Sequence, residues 1–255
     1  MTDRSSADPS TSPSPFQTIL ANRTHGASAL FYQFVQLALG QPSGIVQEGL
    51  RACLEIFPQM AVWSYALERI TRDENLDEVA ADMTRQTQAT IARGVAALQD
   101  YLTVLTLSHS SLVRRTLIAS KERVGPVYCA ASQPGGEGYL LAESLRQEGV
   151  KALVTKDEQA TQLIEDVDVV LLGADQYDEG GFINKVGSKR LARRAGELDK
   201  PVLVLAEEFK RVTRLPELTP ELSELEMETE GRVSREIMFE LVPWRPHISL
   251  VSNDV

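Results

Sequence analysis

The chain has 255 residues, of which 43% are hydrophobic, and it carries a formal net charge of -10 at pH 7. This amount of apolar material can form one large domain or two modest ones. The acidic balance argues against nucleic acid as a direct partner, since phosphate backbones require a dense basic face, and no apolar run approaches the roughly 20 residues that a membrane-spanning helix needs.

The N-terminal sequence predicts a disordered tail. Residues 1–15, MTDRSSADPSTSPSP, are rich in Ser, Pro and Thr and lack the charged-then-apolar order of a signal peptide. The cysteines are Cys53 and Cys129, and their spacing shows no pairing pattern. These features together favour a reduced, cytoplasmic protein.

Residues 16–100 are predicted to form a helical N-terminal domain. Apolar residues recur at helical spacing in ASALFYQFVQLAL and QMAVWSYALERI. A further helix is expected over 76–98, where a charged first turn is followed by alanine-rich periodicity.

The sequence pattern of residues 101–255 predicts a Rossmann-like, doubly wound α/β domain with a mostly parallel sheet. Short apolar runs alternate there with amphipathic stretches, as crossover helices require. In chain order the runs are LTVLTLS, PVYCAA, KALVT, DVVLLG, PVLVLA and HISLVS. The acidic segment 215–231, LPELTPELSELEMETEG, is predicted to be a surface loop or a frayed helix.

The predicted sheet brings two distant polar segments together. In the commonest doubly wound order the first and fourth strands are neighbours, and a crevice opens at their carboxyl ends. The first strand ends at His109 and Ser110, and the fourth ends at Asp175. We therefore expect these side chains to face each other across one crevice.

Asp175 is a candidate acid or base, because a carboxyl group just beyond a buried strand is partly desolvated and holds its proton more tightly. The alternative is an aspartate that only caps a turn. Asn184 and Lys185 precede a helix expected to begin near Gly187, where backbone N–H groups and a lysine suit an anion. An ordinary helical turn with a solvated lysine would have the same spacing.

Ser110 has two interpretations. As a nucleophile next to His109 it lacks the surrounding G-x-S-x-G elbow. The alternative is that Ser110 or Ser111 caps the following helix, which is the commoner use of serine there. Lys210 follows the fifth run and can reach the crevice, or it can be a surface lysine paired with Glu207 or Glu208. The glycine-rich ASQPGGEG is not a dinucleotide fingerprint. No cofactor and no metal site are expected.

Several blocks in order resemble one family: the superfamily that joins the alpha, beta and delta subunits of eukaryotic translation initiation factor 2B with the methylthioribose-1-phosphate and ribose-1,5-bisphosphate isomerases. GADQYDEGGFINKVGSKRLA resembles its signature. Further blocks are RTHGASAL, VLTLSHSSLVRRTL, VYCAASQPGGEGYLLAESL, PVLVLAEEFKR and FELVPWRPHISLVSNDV. The resemblance implies a helical N-terminal domain, a Rossmann-like C-terminal domain, and dimers or higher assemblies.

The isomerases of this family use a cysteine after the first strand and the aspartate of the GAD motif. The aspartate corresponds to Asp175, but the cysteine position is Ser110. A thiol with a pKa near 8.5 exchanges protons near neutrality, whereas an unassisted serine hydroxyl does not. Cys129 lies within the second predicted strand and does not replace the thiol, so the usual isomerase mechanism is expected to fail.

The phosphate contacts implied by the resemblance are partly altered. The isomerases carry arginine before the glycine of the N-terminal block, where this chain has His25 before Gly26 and Ala27. A second family arginine aligns with Phe57. Histidine and phenylalanine cannot reproduce bidentate guanidinium contacts.

Other positions that touch ligand phosphate in the isomerases are retained as Asn184, Lys185 and Lys210. The leading interpretation is therefore a non-isomerase, regulatory relative that forms a homodimer or higher oligomer and binds a sugar phosphate or nucleotide. The alternative is a divergent aldose-ketose isomerase acting on ribose 1,5-bisphosphate or methylthioribose 1-phosphate, and a third is a scaffold with an unused crevice.

Overall fold

The computed structural model describes residues 14–22, 26–98, 100–229 and 232–254. Helices occupy the first part of the chain, as predicted. They are α1 (Gln17–Leu20), α2 (Ala27–Ala38), α3 (Ser43–Ile56), α4 (Ala61–Thr71) and α5 (Leu76–Ala97). Helix α5 begins with a capping box, in which the Asn75 side chain accepts the Asp77 N–H and Glu78 reaches back to the Asn75 N–H.

Aromatic side chains form the core of this helical part. The rings of Phe16 and Phe34 stack with centroids 4.2 Å apart, and Phe34 meets Trp63 edge-on at 5.8 Å. All three side chains are almost completely buried. The apolar spacing that predicted the helices is therefore the face that packs in this core.

The rest of the chain forms a six-stranded parallel sheet with helices on both faces. Its strands are β1 (Val104–Thr106), β2 (Val127–Ala130), β3 (Ala152–Thr155), β4 (Val169–Gly173), β7 (Val202–Leu205) and β11 (Ile248–Val251). Its helices are α6 (Ser111–Ala119), α7 (Glu137–Gln147), α8 (Asp157–Leu163) and α9 (Ser188–Glu197). The strand order is β11-β7-β4-β1-β2-β3, so the expected adjacency of the first and fourth runs is confirmed.

A small antiparallel sheet lies beyond the end of β4 and was not predicted. It contains β5 (Gln176–Tyr177), β6 (Gly181–Lys185) and β10 (Phe239–Pro243), in the order β10-β6-β5. Asn184 and Lys185 consequently belong to a strand, and the helix after them begins at Ser188, with Gly187 in a left-handed conformation at φ 103°. Pairing with β10, more than fifty residues later in the chain, is a tertiary contact that local spacing does not report.

The prediction of a loop or frayed helix for the acidic segment is wrong for its second half. A short helix α10 (Pro220–Ser223) is followed by strand β8 (Glu224–Thr229), which pairs antiparallel with β9 (Arg232–Ile237). In ELEMET, glutamate alternates with Leu, Met and Thr at the period of two that a strand requires. Glu230 and Gly231, the end of the predicted segment, lie outside the described residues.

The helical part packs against the carboxyl edge of the parallel sheet and forms one wall of the crevice there. Gln176 Nε2 donates to the Pro58 carbonyl at 2.6 Å, and the Phe209 N–H donates to Gln86 Oε1 at 2.9 Å. Within the described residues, no helix combines the length and the apolar character that crossing a membrane requires.

Candidate functional site

A cleft lies where the carboxyl ends of β1 and β4 meet the start of α2. Eight of the nine residues predicted to form a site line it: Gly26, Ala27, His109, Ser110, Asp175, Asn184, Lys185 and Lys210. His25, the ninth, lies outside the described residues. The cleft volume is about 90 Å³, several times the roughly 10–15 Å³ that one water molecule needs, so a phosphate-sized group has room there.

Three helices begin at this cleft. The first residues of α2, α6 and α7 contribute Ala27, Ser111 and Glu137 to its lining. The N-termini of α2 and α7 have no side-chain cap hydrogen bond. Helix N-termini carry unpaired N–H groups and the positive end of the helix dipole, so this convergence favours an anion in the cleft.

Ser110 is the N-cap of α6, which is the commoner of its two predicted uses. Its Oγ accepts the Val113 N–H at 3.4 Å. It lies against Gly173 at the end of β4, where an added Cβ would come within 2.8 Å of the Ser110 Oγ. Glycine at 173 therefore lets the cap of α6 approach the strand that leads to Asp175.

Replacing Ser110 with alanine should lower the free energy of unfolding by about 1 kcal/mol, the usual cost of losing a serine N-cap. Urea denaturation followed by circular dichroism measures this change. Ser111→Ala is the matched control, because Ser111 is the first helical residue rather than the cap. Equal losses in the two variants would show that the Ser110 hydroxyl has no capping role.

Asp175 is half-buried at the cleft, and hydrogen bonds of its backbone hold it in place. Its N–H donates to the Ile183 carbonyl at 2.9 Å, and its carbonyl accepts the Ala61 N–H. Burial raises the pKa of the Asp175 carboxyl to about 6, with Lys210 opposing the rise and Glu207 adding to it. The predicted desolvation is present, and this carboxyl group can exchange a proton near neutral pH.

Lys185 is not a solvated lysine, since only 4% of its side chain is exposed. Its Nζ lies 2.7 Å from Glu137 Oε1 and also donates to the Pro134 carbonyl. Burial lowers the pKa of Lys185, although the neighbouring Glu137 opposes this. Glu137 was not predicted as a site residue. The one hint in the sequence was its place directly after Gly135 and Gly136, in the loop that follows the second predicted strand and therefore lies at the carboxyl edge of the sheet.

Lys210 pairs with Glu207, one of the two partners considered, but the pair is buried rather than on the surface. The Lys210 Nζ lies 3.0 Å from Glu207 Oε2, and the two side chains are 6% and 0% exposed. Glu207 Oε1 accepts the Thr87 hydroxyl at 3.0 Å. Glu207 therefore ties helix α5 to the lysine that lines the cleft.

The remaining polar contacts connect the cleft to its supporting elements. Asn184 Nδ2 donates to the Ser188 hydroxyl at 2.9 Å, and that hydroxyl donates to the Lys185 carbonyl. The Ser108 N–H donates to Ser132 Oγ at 2.7 Å, which joins the loops that follow β1 and β2. Phe57 forms an apolar part of the lining and stacks on the core Trp63.

The electrostatic balance of the cleft follows from these pairs. Lys185 is matched by Glu137 and Lys210 by Glu207, while Asp175 adds a titratable carboxyl group. Since both lysine charges are offset locally, the attraction for an anion depends strongly on the three helix N-termini. The arrangement suits one phosphate-sized group beside a carboxyl that changes its charge near pH 6.

A model of the Initiation factor 2 subunit family matches residues 58–234 of this chain. An eIF-2B subunit 2-like translation initiation factor of Pyrococcus furiosus is 28% identical over 78% of either chain. A ribose 1,5-bisphosphate isomerase of Haloferax volcanii is 31% identical over a segment that covers 54% of this chain and 43% of that protein.

Solved structures show the same fold. The translation initiation factor eIF-2B of Pyrococcus horikoshii OT3 superposes with a TM-score of 0.79 at 21% identity, covering 94% of each chain. The 5-methylthioribose 1-phosphate isomerase of the same organism has a TM-score of 0.65 at 15% identity, covering 94% of this chain and 82% of that one. The fold is thus shared by factors named for translation initiation and by isomerases.

Proposed function

The chain belongs to the initiation factor 2 subunit family, and on that premise we propose that it is a non-isomerase member that self-associates and binds a small phosphorylated ligand in its cleft. The phosphate would lie at the N-termini of α2, α6 and α7, and the ligand is a sugar phosphate or a nucleotide. The proposal keeps the cytoplasmic location expected from the sequence.

The observation that carries the proposal is the role of Ser110. By the resemblance to the family's isomerases, Ser110 stands where they use a cysteine. It is engaged as the cap of α6, so the cleft would lack a thiol there. Neither cysteine of the chain compensates, because Cys53 and Cys129 are buried and burial raises the pKa of both thiols to about 12. The cleft would therefore keep its anion-binding features but lack the thiol that transfers a proton in the isomerases.

Titration calorimetry with ribose 5-phosphate, ribose 1,5-bisphosphate and adenosine monophosphate tests the ligand-binding half. Saturable binding of at least one compound, without turnover, is the expected result. Absence of binding to all three would contradict it. Gel filtration with light scattering tests self-association. A chain that stays monomeric at all concentrations would contradict self-association but not ligand binding.

Asp175→Asn should bind the phosphorylated ligand about fivefold more tightly than the native chain at pH 7.5. At that pH the Asp175 carboxyl, with its pKa raised to about 6, is ionised and repels the phosphate; two unit charges 4 Å apart in water interact by about 1 kcal/mol. Below pH 5 the advantage should disappear, since Asp175 is then neutral. An unchanged affinity ratio across this range would contradict the placement of the phosphate near Asp175.

Asp175→Asn should also change how the free energy of unfolding depends on pH. Because the Asp175 pKa is higher in the folded chain than in the unfolded chain, folding takes up a proton between about pH 4 and pH 6, and stability falls as the pH rises through that window. Asp175→Asn should remove this fall, a gain of roughly 1–2 kcal/mol at pH 7.5 for a half-buried carboxyl.

The second candidate function is a divergent phosphosugar isomerase. It is favoured by the pKa of Asp175, near 6, which suits a general acid or base, with His109 or Ser110 in a supporting polar role. A coupled assay with ribose 1,5-bisphosphate and methylthioribose 1-phosphate discriminates the two functions. If the native chain turns over either substrate and Asp175→Asn abolishes that turnover, the non-isomerase proposal is overturned. The third alternative, a scaffold with an unused cleft, predicts that Lys185→Glu changes no measurable activity.

A further inference from the structure

A carboxylate of the chain itself lies among the anion-binding features of the cleft. Glu137 is the first residue of α7, so its side chain belongs to one of the three helix N-termini that converge there. A carboxylate in the first turn of a helix interacts favourably with the positive end of the helix dipole. The α7 terminus and the neighbouring Lys185 therefore already have an anion beside them, and that anion is Glu137.

The position of the Glu137 carboxylate is fixed by the loop that precedes α7. At Gly135, where φ is 106°, an added Cβ would come within 2.8 Å of Glu137 Oε1, so the carboxylate lies directly against this backbone. The loop is itself anchored, because the two carboxylate oxygens of Asp157 accept the N–H groups of Ser132 and Gln133, each at 2.8 Å. The negative charge of Glu137 is therefore a permanent part of the cleft.

The ammonium group of Lys185 is fully engaged by its neighbours. It has three N–H donors. They are directed to Glu137 Oε1 at 2.7 Å, to the Pro134 carbonyl and to Met238 Sδ at 3.6 Å. A ligand phosphate reaches this buried ammonium group only by displacing one of these partners.

The charges of the cleft leave no ammonium group to balance a second phosphate. Two ammonium groups line the described part of the cleft, and each lies against a carboxylate: Lys185 against Glu137 and Lys210 against Glu207. Asp175 adds a third carboxyl group, which is ionised above about pH 6. A phosphate monoester brings roughly 1.5 to 2 negative charges at pH 7. The helix N-termini can offset one such group, whereas a second would add to an existing excess of negative charge.

The rest of the lining also disfavours a second phosphate. It includes the buried side chains of Phe57, Met60, Met238 and Phe239, which have no polar hydrogen to donate. A phosphate placed against them would lose its hydration without replacement. His109 is the remaining basic residue of the described lining, and a single imidazolium would not balance a doubly charged group.

We propose that Glu137 sets the ligand specificity of the cleft: its fixed carboxylate occupies Lys185 and the α7 terminus and thereby restricts the ligand to compounds with a single phosphate. An uncompensated charge directed against the wrong ligand is an effective source of specificity. The phosphate then lies mainly at the N-termini of α2 and α6, and the remainder of the ligand is uncharged. This inference rests on the proposed function and names its ligand class, which is the phosphate monoesters of pentoses and nucleosides rather than the bisphosphates.

Titration calorimetry with compounds that differ by one phosphate group tests the inference. Ribose 1-phosphate and ribose 5-phosphate each carry one phosphate, and ribose 1,5-bisphosphate carries both. The native chain should bind the better monophosphate at least about tenfold more tightly than the bisphosphate at pH 7.5, since close charges at a protein surface repel strongly. We call this affinity ratio the monophosphate preference.

Glu137→Gln should reduce the monophosphate preference at least about fivefold, because it removes the charge that opposes the second phosphate and frees that of Lys185. The amide still accepts from Lys185, and Glu137 Oε2 has no hydrogen bond within the described residues for the substitution to break. Glu137→Asp retains the charge and should keep most of the preference. Glu143→Gln is the matched control, since it removes an exposed carboxylate from the same helix, where Glu143 pairs with Arg146.

Circular dichroism verifies that each variant is folded, and Glu137→Ala is the second neutral variant if Glu137→Gln does not fold. The inference is overturned if the native chain binds the bisphosphate as tightly as the monophosphates. It is also overturned if a folded neutral variant keeps the full monophosphate preference. Both results leave the proposed function intact, since a phosphorylated ligand is bound in each. A native chain that binds none of the phosphorylated compounds would instead overturn the proposed function, and this inference with it.

Discussion

Replacing Lys210 with methionine is expected to lower the free energy of unfolding by about 3–5 kcal/mol, the cost of leaving a buried charge without its partner. Lys210 and Glu207 are almost entirely buried, and their charged atoms lie 3.0 Å apart. After the substitution, Glu207 would keep the Thr87 hydroxyl but no neutralising charge. Urea denaturation at pH 7 measures the loss.

The matched control removes both charges. Lys210→Met combined with Glu207→Gln should recover most of the stability, because a buried pair replaced as a whole is often neutral in energy and glutamine can still accept from Thr87. A double variant as unstable as the single one would show that the lost packing of Lys210, rather than the unpaired carboxylate, dominates.

The double variant also separates two roles of Lys210. Since it is expected to fold like the native chain, any change in its affinity for a phosphorylated ribose reports on the cleft. A tenfold loss would show that the lysine charge reaches the ligand. An unchanged affinity would assign Lys210 to structure alone and leave the helix N-termini as the anion site.

Replacing Gly138 with alanine should cost about 3 kcal/mol or more of stability, at the upper end of overpacking effects. Gly138 is the second residue of α7, and a Cβ there would lie 1.7 Å from the Ala130 carbonyl oxygen at the end of β2. Backbone cannot move aside as a flexible side chain does, so helix and strand would have to separate. Glu137 would move with the helix, which would also disturb its ion pair with Lys185.

Gly44→Ala is the control, since Gly44 occupies the same second position in α3 and an added Cβ would meet nothing within 4 Å. Alanine there should stabilise the chain by about 0.5–1 kcal/mol, because it reduces the freedom of the unfolded state without strain. Thermal and urea denaturation of both variants measure the difference. Similar stabilities would contradict the close approach at Gly138.

The location of the cleft could be predicted because it depends on features that are local in sequence. Each apolar run reports a buried strand, and a parallel sheet collects the residues that follow its strands at one edge. Asp175 and Ser110 could therefore be placed in one crevice once the commonest strand order was assumed. The elevated pKa of Asp175 follows from the same reasoning, since burial just after a strand penalises its charge.

The contacts that determine the chemistry of the cleft were not predictable in this way. Glu137 lies 48 positions from Lys185 in the chain, and Thr87 lies 120 positions from Glu207. Nothing in either local sequence marks the partner, so Lys185 could equally have been solvated. The packing of α7 and α5 against the sheet edge decided that both lysines are buried and gave Lys185 its partner, whereas Glu207 was already a candidate partner of Lys210 from the sequence.

The sequence by itself therefore determined the helical first part, the six parallel strands and the segments that meet at the cleft. The reason is that the spacing of apolar residues along the chain reports which side chains of each helix or strand are buried. The tertiary structure alone decided the burial of the two lysines at the cleft, the strand that carries Asn184 and Lys185, and the separate hairpin of β8 and β9. Those features depend on which distant elements become neighbours, and a buried charge or a strand edge acquires its properties from the neighbour that it meets.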